Sequence, residues 1–373
     1  MKKVLCIALA LMMIFTFVAA CGESESSDGS SNGGGTSGNG TPTSNPPGND
    51  ESMYISVISK GFQHQFWQAV KAGSDSAAAD LGVDIYFIGP EGESAIADQV
   101  DMLNAELAKN PNAIALAALD TDAVLSQLAE AQSKGIPIIG FDSGVPDAPA
   151  GQIAANASTD NEAAAALAAD HMFPELRDKI EAATESNPVV ICILSQEVVS
   201  ASITGRTKGF ADRMYGLANS VNDSVAVTGG FPAINRGDAG AAVRIEVVVG
   251  ATPELTDMTN AANSILNTEN LIGVFNSNEG AVSGLLAAIN AGTRIPDGAL
   301  LVGFDAGEAQ KSAVRTGLFF GSITQDPFQI GYKAVELAVK AARGESVSDV
   351  DTGAKWYDAS NMDQQDIAIL LYD

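Results

Sequence analysis

The chain has 373 residues and a formal net charge of −26, from 46 acidic and 20 basic side chains. This acidity argues against nucleic acid or an anionic membrane surface as a partner, because both attract clusters of Lys and Arg. The charge keeps an exposed protein soluble and says nothing about a small ligand.

The first segment, residues 1–20, is predicted to be a lipoprotein signal peptide. A short basic start is followed by the apolar run Val4–Ala20, which ends in the small residues before Cys21. This order is typical of a secretory signal. A cysteine directly after small residues resembles a bacterial lipobox, so Cys21 is predicted to be lipidated. An ordinary signal or a single membrane span is the alternative, and the run is short for a span.

Residues 21–52 consist almost wholly of Gly, Ser, Asn, Pro, Thr and acidic residues. Such a segment cannot bury enough apolar surface to offset its ordering entropy, so it is predicted to be a disordered tether. The chain from Met53 onward is long enough to divide into two domains. Of the three cysteines, only Cys192 belongs to this part, in an apolar run that predicts a buried strand residue and no disulfide.

From Met53 onward, short apolar runs alternate with longer amphipathic patterns. The predicted strands are Tyr54–Ser59, Val83–Ile88, Ala113–Ala118, Ile136–Phe141, Val189–Leu194, Ile245–Val249, Leu271–Asn276 and Leu300–Phe304. The predicted helices include Phe66–Leu81, Ala95–Lys109, Asp122–Lys134, Asn161–Met172, Glu279–Ala291 and Phe328–Arg343. Continuous apolar strands between helices indicate parallel sheets covered on both faces, so the predicted class is α/β.

A weak internal repeat supports two similar lobes. The stretch "GIPIIGFDSG" at 135–144 is echoed by "ALLVGFDAG" at 299–307, and each is interpreted as the fourth strand of its own series. In open α/β sheets, ligands bind outside the carboxyl ends of the strands. Two facing lobes would therefore aim Asp142 and Asp305 into one cleft.

The sequence does not favour an enzyme. His64 and His171 are far apart, and from Met53 onward the chain contains no HExxH, CxxC, GxSxG, Walker loop or GxGxxG after a strand. We therefore expect no catalytic residue, no metal and no cofactor.

The loops after the predicted strands instead offer groups that suit a polyol. Carboxylates, amides and Arg bind hydroxyls, and aromatic rings cover the C–H face of a sugar. The candidate ligand-binding residues are His64, Phe66, Trp67, Asp142, Ser143, Arg206, Asn278, Asp305 and Gln325. Each has a structural alternative: the two aromatic residues could belong to the core, the aspartates and Gln325 could cap turns or a helix, and Arg206 could be a helix-surface charge.

Six segments together resemble a known family. They are "FWQAVKAGSDSAAADLGV", "GIPIIGFDSG", "GRTKGF", "GVFNSNEGAVSGLLAAI", "LVGFDAG" and "GSITQDPFQIGYKAVELA", in this order along the chain. In this respect the chain resembles the type I periplasmic sugar-binding proteins, the ribose/galactose-binding class of receptors for ABC importers. The resemblance covers nearly all of residues 53–371.

The resemblance implies a fold and roles for the site residues. It implies two Rossmann-like lobes, one of residues 53–157 with 326–355 and one of 158–325 with 356–373, joined by three crossovers that act as a hinge. Phe66 and Trp67 match the aromatic pair that sandwiches the sugar. His64 matches a polar ligand contact that precedes this pair in the chain. Matches to further ligand contacts are Asp142, Arg206, Asn278, Asp305 and Gln325.

Two departures from the family pattern stand out. Ribose-type members carry an arginine directly after the first lobe's aspartate, whereas this chain has Ser143, so a cation is lost and a pentose of that kind is disfavoured. Residues 218–244 look longer than the usual connection, and Phe231, Asn235 and Arg236 are candidates there for a contact that cannot be aligned.

The sequence thus predicts an extracytoplasmic, lipid-anchored monomer that binds a sugar or related polyol and delivers it to an ABC transporter permease. Three alternatives remain. The ligand could be a nucleoside, an inositol or a quorum-sensing furanose, or the protein could present its ligand to a chemoreceptor or a sensor kinase. The protein could also be an enzyme, which turnover of a glycoside by the purified protein would establish. Related sugar-responsive repressors need a basic DNA-binding headpiece, and this chain has an acidic tether in its place.

Overall fold

The computed structural model describes residues 52–372. The predicted signal peptide, Cys21 and the predicted tether up to residue 51 lie outside the described residues. Within the described part, none of the helices combines the length and the apolar character that crossing a bilayer requires.

Thirteen strands and ten α-helices form within residues 52–372. The strands are Tyr54–Ile58 (β1), Asp84–Ile88 (β2), Ala113–Leu116 (β3), Ile138–Phe141 (β4), Ala155–Ser158 (β5), Val189–Ser195 (β6), Val225–Gly229 (β7), Val243–Val249 (β8), Leu271–Asn276 (β9), Leu300–Phe304 (β10), Gly321–Gln325 (β11), Val350–Asp351 (β12) and Ala354–Tyr357 (β13). The helices are Gln65–Leu81 (α1), Ile96–Ala108 (α2), Leu125–Lys134 (α3), Asn161–Ala182 (α4), Ala201–Asn219 (α5), Leu255–Leu266 (α6), Glu279–Asn290 (α7), Glu308–Arg315 (α8), Pro327–Ala342 (α9) and Gln365–Ala368 (α10).

The strands form two sheets, which confirms the predicted α/β class. The six-stranded sheet has the order β12-β5-β4-β3-β1-β2, and all of its neighbours are parallel. The seven-stranded sheet has the order β13-β11-β10-β9-β6-β8-β7, and only β13 runs antiparallel to its neighbour. We call the first sheet with α1, α2, α3 and α9 the first lobe, and the second sheet with the remaining helices the second lobe.

The chain passes between the two lobes three times. It does so between β5 and α4, between β11 and α9, and between β12 and β13. The lobe boundaries predicted at 157/158 and 355/356 fall inside β5 and β13, whereas the one at 325/326 coincides with the end of β11.

Helices α1 and α9 lie unusually close together on the first sheet. A Cβ at Gly73 would lie 1.9 Å from the carbonyl oxygen of Phe328, and a Cβ at Gly331 would lie 1.9 Å from that of Val70. Only glycine permits this approach, which fixes α9 against the helix that begins at the candidate aromatic residues.

Several predicted elements require correction. The helix predicted to end at Met172 continues to Ala182, because Leu176 and Ile180 bury its apolar face beyond Pro174. Strands β5, β7, β11, β12 and β13 were not predicted, since most are short or lie at a sheet edge. Because β7 lies within 218–244, the segment taken as a long connection contains an edge strand. With β7 counted, β10 is the fifth strand of its sheet in chain order, whereas the repeat was interpreted as the fourth strand.

Candidate functional site

A cavity lies between the carboxyl ends of the two sheets. Eight of the nine predicted site residues line it: His64, Phe66, Trp67, Asp142, Arg206, Asn278, Asp305 and Gln325. Its volume is about 20 Å³, enough for roughly one water molecule. A sugar ring therefore requires the facing lobes to move apart from this arrangement.

Phe66 and Trp67 form the aromatic corner of the cavity at the start of α1. Their rings meet edge to face, with centroids 5.0 Å apart at 86°. Both side chains are also part of the first lobe's core, with 5% and 1% exposure. Perpendicular neighbouring rings cannot enclose a ligand ring between them, so the sandwich stays a prediction that this geometry does not support. Ile203 in α5 adds the lining's other apolar side chain.

Glu93, in the loop after β2, holds the tryptophan in place. Its carboxylate accepts a hydrogen bond from Trp67 Nε1 at 2.8 Å and another from Gln196 Nε2 at 2.7 Å, which joins the two lobes. Burial alone would raise the pKa of this carboxyl group. The charges of Lys60 and His64 and the two hydrogen bonds outweigh burial and lower the pKa to about 2.

Arg206 bridges the two repeated aspartates at the centre of the cavity. Its guanidinium lies 3.8 Å from Asp142 Oδ1 and 3.6 Å from Asp305 Oδ2, and its side chain is 3% exposed. Its Nε donates to Asn161 Oδ1 at 2.8 Å, and its guanidinium carbon lies 3.9 Å from the centre of the Phe304 ring. The alternative of a helix-surface charge is therefore wrong.

The two Gly-Phe-Asp segments of the repeat share one local geometry. Asp142 and Asp305 both have left-handed backbones, with φ of 52° and 80°. In each segment the glycine leaves room for an amide side chain, since a Cβ at Gly140 or Gly303 would lie within 2.4 Å of Asn156 or Gln310 respectively. The tight turn after each strand directs the carboxylate into the cavity instead of along the sheet.

Asp142 is held in an environment that disfavours its charge. Burial raises the pKa of Asp142 from 3.8 to about 6. The negative charges of Asp305 and Glu93 also raise this pKa, whereas the positive charges of Lys60 and Arg206 lower it. Because the folded pKa lies above the unfolded value, this carboxyl group destabilises the fold increasingly as pH rises from 3.8 through 6. The fold therefore keeps this carboxyl group in the cavity at a cost in stability near neutral pH.

Asp305, Asn278 and Gln325 form the second lobe's polar wall. Gln325 Nε2 donates to Asp305 Oδ1 at 2.7 Å, while Asp305 Oδ2 accepts from the Glu279 backbone N at 3.0 Å. Asn278 caps α7, because its Oδ1 accepts from the Ala281 backbone N at 3.1 Å. The capping alternative is wrong for Gln325, since its neighbour Asp326 caps α9.

His64 contributes a buried polar atom to the cavity. Its Nε2 has no hydrogen-bond partner among the described residues. Since buried polar groups are nearly always paired, this nitrogen is available to a ligand hydroxyl.

Ser143 and the candidates in 218–244 do not line the cavity. The Ser143 hydroxyl accepts from the Ser202 backbone N at 3.3 Å, which is a contact between lobes. Phe231 packs against the second lobe's core. Asn235 donates to the carbonyl oxygen of Gly229, and Arg236 pairs with Asp212. A direct ligand contact of Ser143 stays a prediction that this geometry does not support.

Five lining residues were not predicted: Lys60, Glu93, Ser202, Ile203 and Glu279. All five follow the carboxyl end of a parallel strand, so the rule that selected the other candidates could have found them. Lys60 brings a buried ammonium group to the cavity, a cation that the prediction made from Ser143 did not include.

The lining offers donors, acceptors and a small apolar corner, which suits a neutral ligand rich in hydroxyl groups. Within residues 52–372 no group of three or more His, Cys, Asp or Glu side chains could hold a metal ion. The lining offers a ligand hydrogen bonds and apolar contact.

The periplasmic binding protein domain model matches residues 55–346, which include most strands of both sheets and every residue that lines the cavity. The chain belongs to this family. This periplasmic binding protein therefore has the architecture that its six quoted segments predict.

Solved structures and curated relatives agree with this membership. A chain from Brachyspira murdochii, described as an ABC transporter, LacI family transcriptional regulator, is 42% identical with a TM-score of 0.72, and 86% of this chain and 99% of that chain are covered. An ABC transporter solute-binding protein from Agrobacterium vitis with bound D-fucose is 28% identical, with a TM-score of 0.70 and coverage of 86% and 100%. The ribose import binding protein RbsB of Haemophilus influenzae is 24% identical over 79% of this chain and 87% of its own length.

Proposed function

We propose that this protein captures a sugar or related polyol between its two lobes and delivers it to the permease of an ABC transporter. The cavity carries this proposal. It combines an aromatic corner, two aspartates bridged by a buried arginine, and an unpaired histidine nitrogen. This is the set of groups that binds both the hydroxyls and the C–H face of a sugar.

The relatives support a monosaccharide as the ligand. The Agrobacterium vitis structure contains D-fucose, and the Haemophilus influenzae relative is named for ribose import. A nucleoside, an inositol or a furanose signal uses the same kinds of contact and is the second candidate class. Delivery to a chemoreceptor or a sensor kinase is the alternative to delivery to a permease.

We assign roles to the lining residues on this basis. Asp142 and Asp305 accept hydrogen bonds from sugar hydroxyls, and Arg206 donates to them. Phe66 and Trp67 cover the apolar face, at about 0.5–1.5 kcal/mol for each aromatic contact beyond its burial. A sugar that binds both lobes favours the closed arrangement over the open one, and only this difference in affinity drives hinge closure.

A thermal-shift screen of the purified protein tests the proposal. The panel contains D-ribose, D-allose, D-fucose, D-galactose, inositols and nucleosides, with L-sugars as matched controls. A bound ligand at one hundred times its Kd stabilises the protein by about 2.7 kcal/mol, so we expect at least one D-sugar to raise Tm by several degrees and its L-enantiomer to leave Tm unchanged. Shifts by nucleosides alone would favour the second class, and a screen without any shift would contradict the proposal.

We further propose that the protein is a monomer on the extracytoplasmic face of the cell membrane, anchored by a lipid on Cys21. The family's periplasmic location supports the placement outside the cytoplasm, and the sequence Val-Ala-Ala-Cys supports the anchor. Cys21→Ala should abolish incorporation of a labelled fatty acid into the expressed protein, because the Cys21 thiol is the proposed attachment point of the lipid. Ser24→Ala is the matched control and should incorporate the label as the unchanged protein does. Equal labelling of the two variants, or no labelling of the unchanged protein, would contradict lipidation at Cys21.

A further inference from the structure

A second cavity lies directly beside the proposed sugar site. It has a volume of about 180 Å³, against about 20 Å³ for the sugar site, and it also lies between the lobes. Lys60 and Glu93 line both cavities and form the partition between them.

The two sides of this partition differ in how firmly they are held. Glu93 accepts two short hydrogen bonds, at 2.8 and 2.7 Å. The Lys60 Nζ lies 4.0 Å from Glu93 Oε2 and 3.5 and 3.4 Å from the hydroxyls of Ser200 and Ser202. These distances exceed the usual 2.9–3.0 Å or so of an N–H···O bond. Lys60 is therefore the movable side of the partition, and separating the lobes to admit a sugar ring also widens the passage beside it.

The second cavity is mainly apolar. Its apolar lining consists of Ile96 and Leu119 from the first lobe and Val199, Ala251 and Pro253 from the second. Its volume resembles that of an apolar protein cavity of about 150 Å³ that binds benzene.

Apart from the loosely held Lys60, the polar side chains that line the second cavity already have close partners. Ser94 donates to Glu254 Oε1 at 2.5 Å, and Thr252 donates to Asp257 Oδ2 at 2.7 Å. Glu197 accepts from the Ser200 backbone N at 2.9 Å. A second sugar ring would find few free donors or acceptors here, whereas an apolar group loses no hydrogen bond on entering.

We propose that the second cavity is a subsite for an apolar substituent of about one six-membered ring on the sugar, so that the ligand is a glycoside with an apolar aglycone. The proposal rests on sugar binding in the adjacent site, as set out under the proposed function. The sugar ring occupies the polar cavity and the aglycone passes Lys60 into the apolar one. Ala251 and Thr252 at the rim are exposed, so the aglycone reaches its subsite next to solvent.

Matched glycosides test this subsite. Calorimetric affinities are compared for the methyl and phenyl glycosides, in both anomeric forms, of D-galactose, D-glucose, D-fucose and D-allose. We expect the phenyl form of at least one anomer to bind about tenfold more tightly than its methyl form. The Ala251→Phe variant fills the subsite and should remove that preference. Ala239→Phe places the same ring in an exposed loop at the opposite end of β8 and should retain it.

The possible results tell a failure of the subsite apart from a failure of the proposed sugar site. Binding of methyl glycosides without any phenyl preference overturns the subsite and leaves sugar capture standing. A phenyl preference that survives Ala251→Phe also overturns it, because the ring then binds elsewhere. If neither a free sugar nor any glycoside binds, the proposed function fails and the subsite fails with it.

Discussion

Replacing Trp67 by alanine is expected to abolish measurable sugar binding and to destabilise the fold by about 3–5 kcal/mol. The side chain is 1% exposed, packs edge to face on Phe66 and donates to Glu93. Its removal opens the core, takes away one wall of the cavity and leaves Glu93 Oε1 without its donor. Calorimetric titration with the sugar found by the screen and urea unfolding measure the two losses.

The chain's other tryptophan provides the control. Trp356 is 8% exposed, stacks on His171 with ring centroids 4.2 Å apart, and lies outside the cavity lining. Trp356→Ala should cost comparable stability and leave sugar affinity within about twofold. If the alanine variant does not fold, the titration uses Trp67→Phe instead, which keeps an aromatic ring. Full sugar affinity in Trp67→Ala would show that this residue is structural only.

Replacing Arg206 by methionine is expected to cost about 3–5 kcal/mol of unfolding free energy at pH 8, the usual effect of removing one partner of a buried ion pair. The change leaves Asp142 and Asp305 buried without the cation between them. Because Arg206 opposes the raised pKa of Asp142, its removal raises that pKa further above 6. The carboxyl group then binds a proton as pH falls, so the deficit should be smaller at pH 5 than at pH 8.

Urea unfolding of both proteins at the two pH values measures this dependence. Arg213→Met is the matched control, because Arg213 pairs with Asp170 at the surface with 49% of its side chain exposed. That variant should change stability by at most about 1 kcal/mol at either pH. An equal deficit for Arg206→Met at both pH values would attribute the loss to packing against Phe304 instead of charge. Arg206→Lys keeps the positive charge but lacks the planar guanidinium group. The sugar affinity of this variant therefore measures what the planar group contributes to binding beyond its charge.

Most of the fold was predictable because each element carries its own pattern. The strands through Val57, Ile139 and Val302 are apolar runs between amphipathic helices, and their order predicted the α/β class and two sheets. Strands β5 and β12 were missed because they are short: β5 alternates alanine with polar residues over only 4 residues, and β12 has 2. Helix α4 was predicted too short because Pro174 is a local stop signal that tertiary burial of Leu176 and Ile180 overrides.

The sequence alone determined the class of the fold and the edge of each sheet at which polar residues gather, since both follow from burial patterns within about twenty residues. Tertiary structure decided which of those residues face the cavity. Ser143 and Asp142 are neighbours, yet the left-handed backbone of Asp142 turns its carboxylate inward while Ser143 contacts Ser202 of the other lobe. Glu93 and Lys60 contact Gln196 and Ser200, respectively, which follow a strand more than one hundred residues further along the chain. The direction of a side chain after a strand depends on such distant partners, because no local pattern encodes which opposing surface will meet it.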